Sequence, residues 1–346
     1  MTKSEHDGKV LRVARVYDIL NCGKNNRFVA NGKLVHNSGG DTINPQNLPR
    51  GGALRESIRA PEGYAIVACD SSQVEARTLA WFAGQTDLVE DFKHGVDVYS
   101  AFASKVYGKP INKHDFPQER FVGKVGILGL GYGVGAEKLR LTLKNGGVDL
   151  PIEECKRIVS IYRNTYSRIP ALWKECDKAL AHLLAGYSHD IGVGMVLHAK
   201  AVVKDGAIHG EIELPSQLKL RYPYLKAEVN DRGWLEYTYR RKNLDSGIYG
   251  GALTENIIQA LARIVVSYQM LDIGEALKQK SKHKRDNKLR RVVHMVHDEV
   301  IAIVPEDEAK ETEAMMEKIM STPPEWALSL PVSCEAGSGV TYADAK

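Results

Sequence analysis

Two apolar runs in this chain each lead straight to an aspartate, and no other feature limits its possible folds so strongly. The run YAIVAC, residues 64–69, is followed at once by Asp70. The runs RVVHMV (291–296) and VIAIV (300–304) flank His297-Asp298-Glu299. Short β-branched runs bounded by polar turn residues predict buried strands. Asp70 then closes one strand, and Asp298 lies in the turn between two others. Strand ends hold side chains rigidly, and two carboxylates brought together there repel unless a dication lies between them. Mg²⁺ suits such a place, because it takes one or two carboxylates together with substrate phosphates. Two such ions can clamp both oxygens of an in-line phosphoryl displacement. Most Asp-Ser and His-Asp-Glu tripeptides are ordinary turns, so neither site carries this reading alone.

The segment between them strengthens it. Arg120, Lys124, Leu128 and Tyr132 recur at four-residue spacing, which predicts one helix face bearing two cations, an apolar contact and an aromatic ring. Such a face can hold a triphosphate at one end and stack a base at the other. A solvated basic edge would give the same spacing. Against that stand glycines at 123, 126, 129, 131, 133 and 135. Each costs up to ~1 kcal/mol inside a helix, so this many imply close approach to another surface.

Composition narrows the class. The chain has 346 residues, 26% of them charged and 43% hydrophobic, which excludes a disordered or collagenous chain. Five scattered cysteines without a C-x-x-C pair fit a reducing compartment rather than a zinc cage or disulfide framework. No stretch approaches 18 uninterrupted apolar residues and MTKSEHDGKV has no apolar signal core, so neither membrane nor export is expected. Residues 1–37 hold seven basic and three acidic residues, a net +4 that equals the whole chain's. The remaining 309 residues balance to zero, so total charge is no argument for nucleic acid.

The pattern reads as α+β. Residues 1–37 are β-rich, with Asn31-Gly32 as a hairpin signal between 27–30 and 33–35. An extended segment follows over 38–52. A strand at 64–69 and a helix at 73–82 lead into mostly helical sequence as far as about 185. Strands and turns are expected over 191–239, and a helix over 253–275. The basic run 278–291 reads as a solvated loop or a phosphate-contacting edge. An acidic helix at 306–320 and a strand at 330–335 close the chain.

Three motifs then share one resemblance. D-S-S-Q-V-E-A-R at 70–77 resembles motif A of family A (DNA polymerase I-like) DNA polymerases, R-F-V-G-K-V-G-I-L-G-L-G-Y-G at 120–133 resembles motif B, and H-D-E at 297–299 resembles motif C. N-P-Q-N-L-P-R at 44–50 looks like the segment before the palm, and E-L-P-S at 213–216 recurs in phage members. The resemblance covers 38–346 and implies a palm (about 38–85 and 240–346), an antiparallel sheet with helices, and mostly helical fingers (about 86–239). It implies that Asp70 and Asp298 bind two Mg²⁺ (or Mn²⁺), with the Ser71 carbonyl and Glu299 nearby. Glu75 would be the steric gate against a ribose 2′-hydroxyl. Arg120 and Lys124 would hold the incoming triphosphate, with Lys124 as general acid for pyrophosphate. Tyr132 would stack near the templating base, and Gln73 would position the nascent pair. Leu128 stands where Phe or Tyr is usual, and Tyr99 where many bacterial members have a phosphate-contacting His. Gln46, Asn47, His297 and Gln259 would meet primer–template DNA. The implied partners are that DNA and deoxynucleoside triphosphates. A single-subunit RNA polymerase shares the palm, but its motif A lacks the glutamate gate. A DNA-binding remnant without activity is the other alternative.

V-Y-D-I at 16–19 and N-R-F-V-A-N-G-K-L-V-H-N-S at 26–38 resemble the C-terminal end of an intein. The Asn37 side-chain amide can attack its own carbonyl, forming a succinimide and freeing Ser38. His36 can polarise that carbonyl or protonate the leaving amine, and the Ser38 hydroxyl can receive an acyl group. With its own Met1 and no preceding intein segment, 1–37 reads as the C-terminal fragment of a split intein. An N-terminal polymerase fragment carrying the other intein half would be its partner. The expected compartment is the cytoplasm, that of a bacterial host if the chain is phage-encoded.

Overall fold

The computed structural model describes residues 53–345, save 232 and 243, together with the backbones of four short strands before them. The chain divides into two compact units, Met1–Leu48 and Pro49–Lys346. In the first, β1 (Glu5–His6) pairs with β2 (Lys9–Val10), and β3 (Arg27–Ala30) with β4 (Lys33–His36), both antiparallel. In the second hairpin Ala30 stands opposite Lys33; the Asn31-Gly32 turn expected between them lies outside the described residues.

The second unit opens with α1 (Ala53–Ser57) and β5 (Tyr64–Ser71). Helices α2 (Val74–Ala83), α3 (Thr86–Lys93), α4 (Val98–Tyr107), α5 (Pro117–Gly129), α6 (Ala136–Asn145), α7 (Ile152–Thr165) and α8 (Arg168–Leu184) follow. Their ends carry identifiable signals. Asp97 caps α4 by accepting from Ser100 N–H, Pro117 opens α5, and Gly84 ends α2 in the left-handed region at φ 68°.

Two antiparallel sheets come next. One is ordered β6 (His189–Ile191), β7 (Leu197–Lys204), β8 (Ala207–Glu213), β9 (Lys219–Tyr222). The other is ordered β10 (Lys226–Val229), β11 (Leu235–Arg241), β12 (Leu244–Ile248). The long α9 (Gly250–Lys284), β13 (Arg291–Val296), β14 (Glu299–Pro305), α10 (Ala309–Met320) and β15 (Cys334–Gly339) complete the unit.

The sheet that matters most is ordered β13-β14-β5-β15, antiparallel throughout. Strand alternation gives it two faces. Ala65, Val67, Cys69, Val300, Ala302 and Val304 pack with Met316 and Met320 of α10 and Val266 and Ile273 of α9. Ile66, Ala68 and Ile301 face the other way, against Tyr342 and Ala345 of the C-terminal tail. A larger core lies among α2, α4, α5, α7, α8 and the first half of α9, around Phe82, Phe102 and Tyr162. Each such side chain contributes roughly 1.5–3 kcal/mol by leaving water. Helix α9 joins both cores, which is why its apolar positions encircle it and show no single stripe.

Two expectations need correction. The basic run is a loop only in its second half, because α9 continues to Lys284, and several of its cations are paired with acidic side chains. Arg290 donates to both Glu308 oxygens at 2.7 and 2.6 Å and to Asp286 at 2.6 and 2.8 Å. Lys280 and Lys284 reach the same Glu308 at 3.2 and 2.7 Å. The closing strand lies at 334–339 rather than 330–335, since Gly337 and Gly339 lie under the returning tail. A Cβ on Gly339 would come within 2.2 Å of Asp344.

Candidate active site

Asp70 and Asp298 are brought together by main-chain pairing. Asp70 stands opposite Glu299 on β14 and opposite Glu335 on β15. The Ser71 N–H donates to the Asp298 carbonyl at 2.9 Å, so the end of β5 is fastened to the turn between β13 and β14. By alternation, Asp70 and Glu299 lie on the face away from α9 and α10. Ser71 is buried, with its side chain on the opposite face. Glu299 is wholly buried, and its Oε2 accepts from the Tyr342 hydroxyl at 2.7 Å. Burial first, and then this bond, raises the Tyr342 pKa. Glu299 is thereby tied to the C-terminal tail beside Asp70.

Helix α2 and the end of α5 supply a second wall. Burial, then the nearby Asp298 charge, raises the Glu75 pKa, with Glu255 adding to the effect. The Tyr132 hydroxyl, itself buried and raised by burial, donates to Glu75 Oε2 at 3.5 Å. Glu75 therefore lies within electrostatic reach of Asp298 and in contact with Tyr132. The predicted row along one helix face does not extend to Tyr132. Helix α5 ends at Gly129 and tightens into a 3₁₀ turn over Leu130–Tyr132, which swings the ring into the core. Arg120, Lys124 and Leu128 keep the outer face, Lys124 and Leu128 exposed.

The glycines explain the inner face. A Cβ on Gly123 would come within 2.1 Å of the Tyr99 carbonyl oxygen, and one on Gly126 within 2.5 Å of Phe102. Helices α4 and α5 meet there closer than any side chain allows. Gly131 is pressed against Leu79 in the same way, whereas Gly129 and Gly135 face open space.

Arg120 is held by Asp97 in a two-pronged pair at 2.6 and 3.1 Å, with its guanidinium 5.3 Å from the Tyr99 ring centre. Burial would raise the Asp97 pKa, but hydrogen bonds from Arg120 and Ser100 outweigh it and hold it below the usual value. Buried Tyr99 is raised by desolvation, partly offset by a hydrogen bond with Gln73. Gln73 begins α2 at φ 48°, a left-handed conformation uncommon for a side-chain-bearing residue, and its Oε1 accepts from Arg77 at 3.4 Å. His297 has the same unusual φ, 48°.

Gln259 lies on a polar row of α9 that sequence reading missed. Glu255, Gln259 and Arg263 recur every four residues. Gln259 donates to Glu255 at 3.3 Å, and Arg263 donates to the His297 carbonyl at 3.2 Å. The row thus runs from the Glu75–Tyr132 pair to the motif turn. Three polar residues at helical spacing among apolar neighbours were the available signal. Asn37, Ser38, Gln46 and Asn47 lie outside the described residues, as does the side chain of His36.

The sequence profile of DNA polymerase family A matches residues 26–188 and 252–344, and the chain belongs to that family. It is 28% identical to the DNA polymerase of Bacillus phage SP02 over 82% of this chain and 42% of that one. It is 24% identical to the thermostable DNA polymerase I of Thermus thermophilus over 87% of this chain and 30% of that enzyme. The chain therefore spans less than half the length of these relatives. Among solved structures, the POL domain of Pol1 from M. smegmatis, in complex with DNA primer-template and dNTP, superimposes with a TM-score of 0.61. That match covers 87% of this chain and 44% of the other at 22% identity, a likeness of fold. The unmatched residues 189–251 are those of the two small sheets.

Proposed function

We propose that this chain performs template-directed DNA synthesis, adding deoxynucleotides to a primer 3′-hydroxyl, as the C-terminal part of a phage-type family A polymerase. The carrying observation is the end of β5 fastened to the Asp298 turn, with Glu75 and Tyr132 alongside. The phage relative and the DNA- and dNTP-bound neighbour support it.

The donor set fits Mg²⁺: carboxylate oxygens of Asp70 and Asp298 and the Ser71 carbonyl come from adjoining strand ends. Among the described residues no three His, Cys, Asp or Glu side chains form an all-protein cage, and Mg²⁺ does not require one when phosphates complete its shell. Bound there, the cations would lower the 3′-hydroxyl pKa and offset phosphate charge. Arg120 and Lys124 bind the triphosphate, Arg120 exchanging Asp97 for phosphate, and Lys124 protonates departing pyrophosphate. Leu128 and Tyr99 shape the nucleotide site, and Gln73 and Tyr132 align the nascent pair. Glu75, held by Tyr132, closes the space a 2′-hydroxyl would need. Gln259, His297, Gln46 and Asn47 contact primer–template, and Glu299 acts through its bond to Tyr342. Such synthesis belongs in the cytoplasm of a host cell.

Residues 1–37 act in this reading as a C-terminal intein fragment. Cyclisation at Asn37, assisted by His36, releases the segment after Ser38 has accepted the partner's acyl group. The test is co-expression with an upstream polymerase fragment bearing the other intein half, followed by intact mass and primer extension. Loss of 1–37 in one ligated product that extends with deoxynucleotides, and an inert Asp70→Asn product, are expected. Extension with ribonucleotides would favour an RNA polymerase. Two persistent but active chains would replace splicing by a two-chain enzyme, and an inactive mixture would leave a DNA-binding remnant.

A further inference from the structure

We propose that Arg263 is a positioning residue for Asp298, acting through the main chain of the turn that carries it; the inference rests on reading Asp70 and Asp298 as the metal-binding pair. Val296 and Glu299 are the last paired residues of the β13–β14 hairpin, so His297 and Asp298 form its two-residue loop. Two-residue hairpin loops with φ > 0 at the first position ordinarily place Gly, Asn or Asp there. Here it is histidine at φ 48°, a conformation that persists only when its surroundings impose it.

The surroundings grip both peptide planes that flank the Asp298 Cα. The plane joining His297 to Asp298 is held at its carbonyl by Arg263 Nη1 at 3.2 Å. The plane joining Asp298 to Glu299 is held at its carbonyl by the Ser71 N–H at 2.9 Å. Because peptide units are rigid, fixing two successive planes restrains the two dihedrals between them and so the direction of the Asp298 Cα–Cβ bond. One anchor belongs to the strand that carries Asp70, which ties the two carboxylates to each other. The other belongs to α9, where Ala262, Ile264, Val265 and Val266 are buried around Arg263, so the guanidinium is mounted on a rigid element.

The test is Mn²⁺ binding to the full chain, read by electron paramagnetic resonance, in wild type, Arg263→Gln, Arg263→Lys and Asp298→Asn. Arg263→Gln is expected to raise the Mn²⁺ dissociation constant at least ~10-fold, as loss of an outer-shell support does. Arg263→Lys should restore most of it, and amide exchange at Asp298 and Glu299 should quicken in Arg263→Gln alone. If Asp298→Asn abolishes binding while Arg263→Gln binds as wild type, the positioning role is overturned and the metal pair stands. If Asp298→Asn leaves binding unchanged, the metal pair fails and the role of Arg263 falls with it. Equal loss in the Gln and Lys variants with a lowered melting temperature would reduce Arg263 to a fold-stabilising residue.

Discussion

Two cationic stretches of this protein look alike in sequence and differ in every physical respect. Arg120 and Lys124 lie on the outer face of α5, whose inner face is bared by glycines to pack on α4. Lys280, Lys284 and Arg290 surround Glu308, which is 2% exposed. The first pair keeps contact with solvent: Lys124 is exposed, and Asp97, partner of Arg120, is itself about one-third exposed. The second set is consumed, because a buried carboxylate must be neutralised where it stands. The exposure of the anion, rather than the density of cations, decides which stretch remains free to meet a phosphate.

The sharpest way to break the comparison is to remove Arg290. Arg290→Ala leaves buried Glu308 with only Lys280 and Lys284, so the loss should fall below the about 3–5 kcal/mol of a fully broken buried pair. Denaturant unfolding should show that loss, while nucleotide binding by the folded fraction stays unchanged. The pH dependence has a definite sign. The Arg290 hydrogen bonds, opposed by burial, hold the folded-state Glu308 pKa well below the ordinary value. Its contribution is therefore complete above the unfolded pKa of about 4.3 and fades as pH falls below that towards the folded value. Glu308→Gln should flatten this acid slope; a stability change under ~1 kcal/mol in Arg290→Ala would make the two stretches equivalent after all.

Lys124→Ala sharpens the contrast from the other side. An exposed side chain without an ion pair among the described residues contributes within about 0.5 kcal/mol to folding. A charge-assisted contact to phosphate is worth about 1.5–3 kcal/mol, so if Lys124 acts as proposed, dNTP affinity of the assembled polymerase should fall tenfold or more. Steady-state extension and thermal unfolding measured together give both numbers; unchanged affinity would remove Lys124 from the nucleotide site.

What the sequence disclosed follows the same division. The strand ends at Asp70 and Asp298 were legible because β-branched runs announce strands, of which β5 and β14 are buried while β13 is largely exposed, and Gly123 and Gly126 announced close helix contact. The extension of α9 past Glu275 was not, since the reason for it, Glu308, lies 24 residues beyond Lys284. Tyr132 kept helical spacing on paper but left the row where α5 tightened at Gly129. Arg263 was hidden because its partner is a backbone carbonyl, and a main-chain acceptor leaves no mark in the sequence. The closing strand was expected at 330–335, before the glycines of β15, and only the tail folded over them shows why a strand there needs them.

The smallest effect concerns Asp97, and it separates two roles of one side chain. Asp97 caps α4 through Ser100 and holds Arg120. Asparagine caps a helix about as well as aspartate, so Asp97→Asn removes the ion pair and spares the cap. A pair this exposed is worth roughly 0.2–1 kcal/mol, which bounds the loss of stability. In the proposed site, Arg120 must leave Asp97 before it binds a triphosphate, so removing the carboxylate's charge lowers that expense. The dNTP affinity of Asp97→Asn should therefore rise by about the same 0.2–1 kcal/mol, which is up to roughly fivefold. Weaker binding in this variant would mean that Asp97 holds Arg120 in the geometry that receives phosphate, and the pair would then belong with the fixed contacts around Glu308.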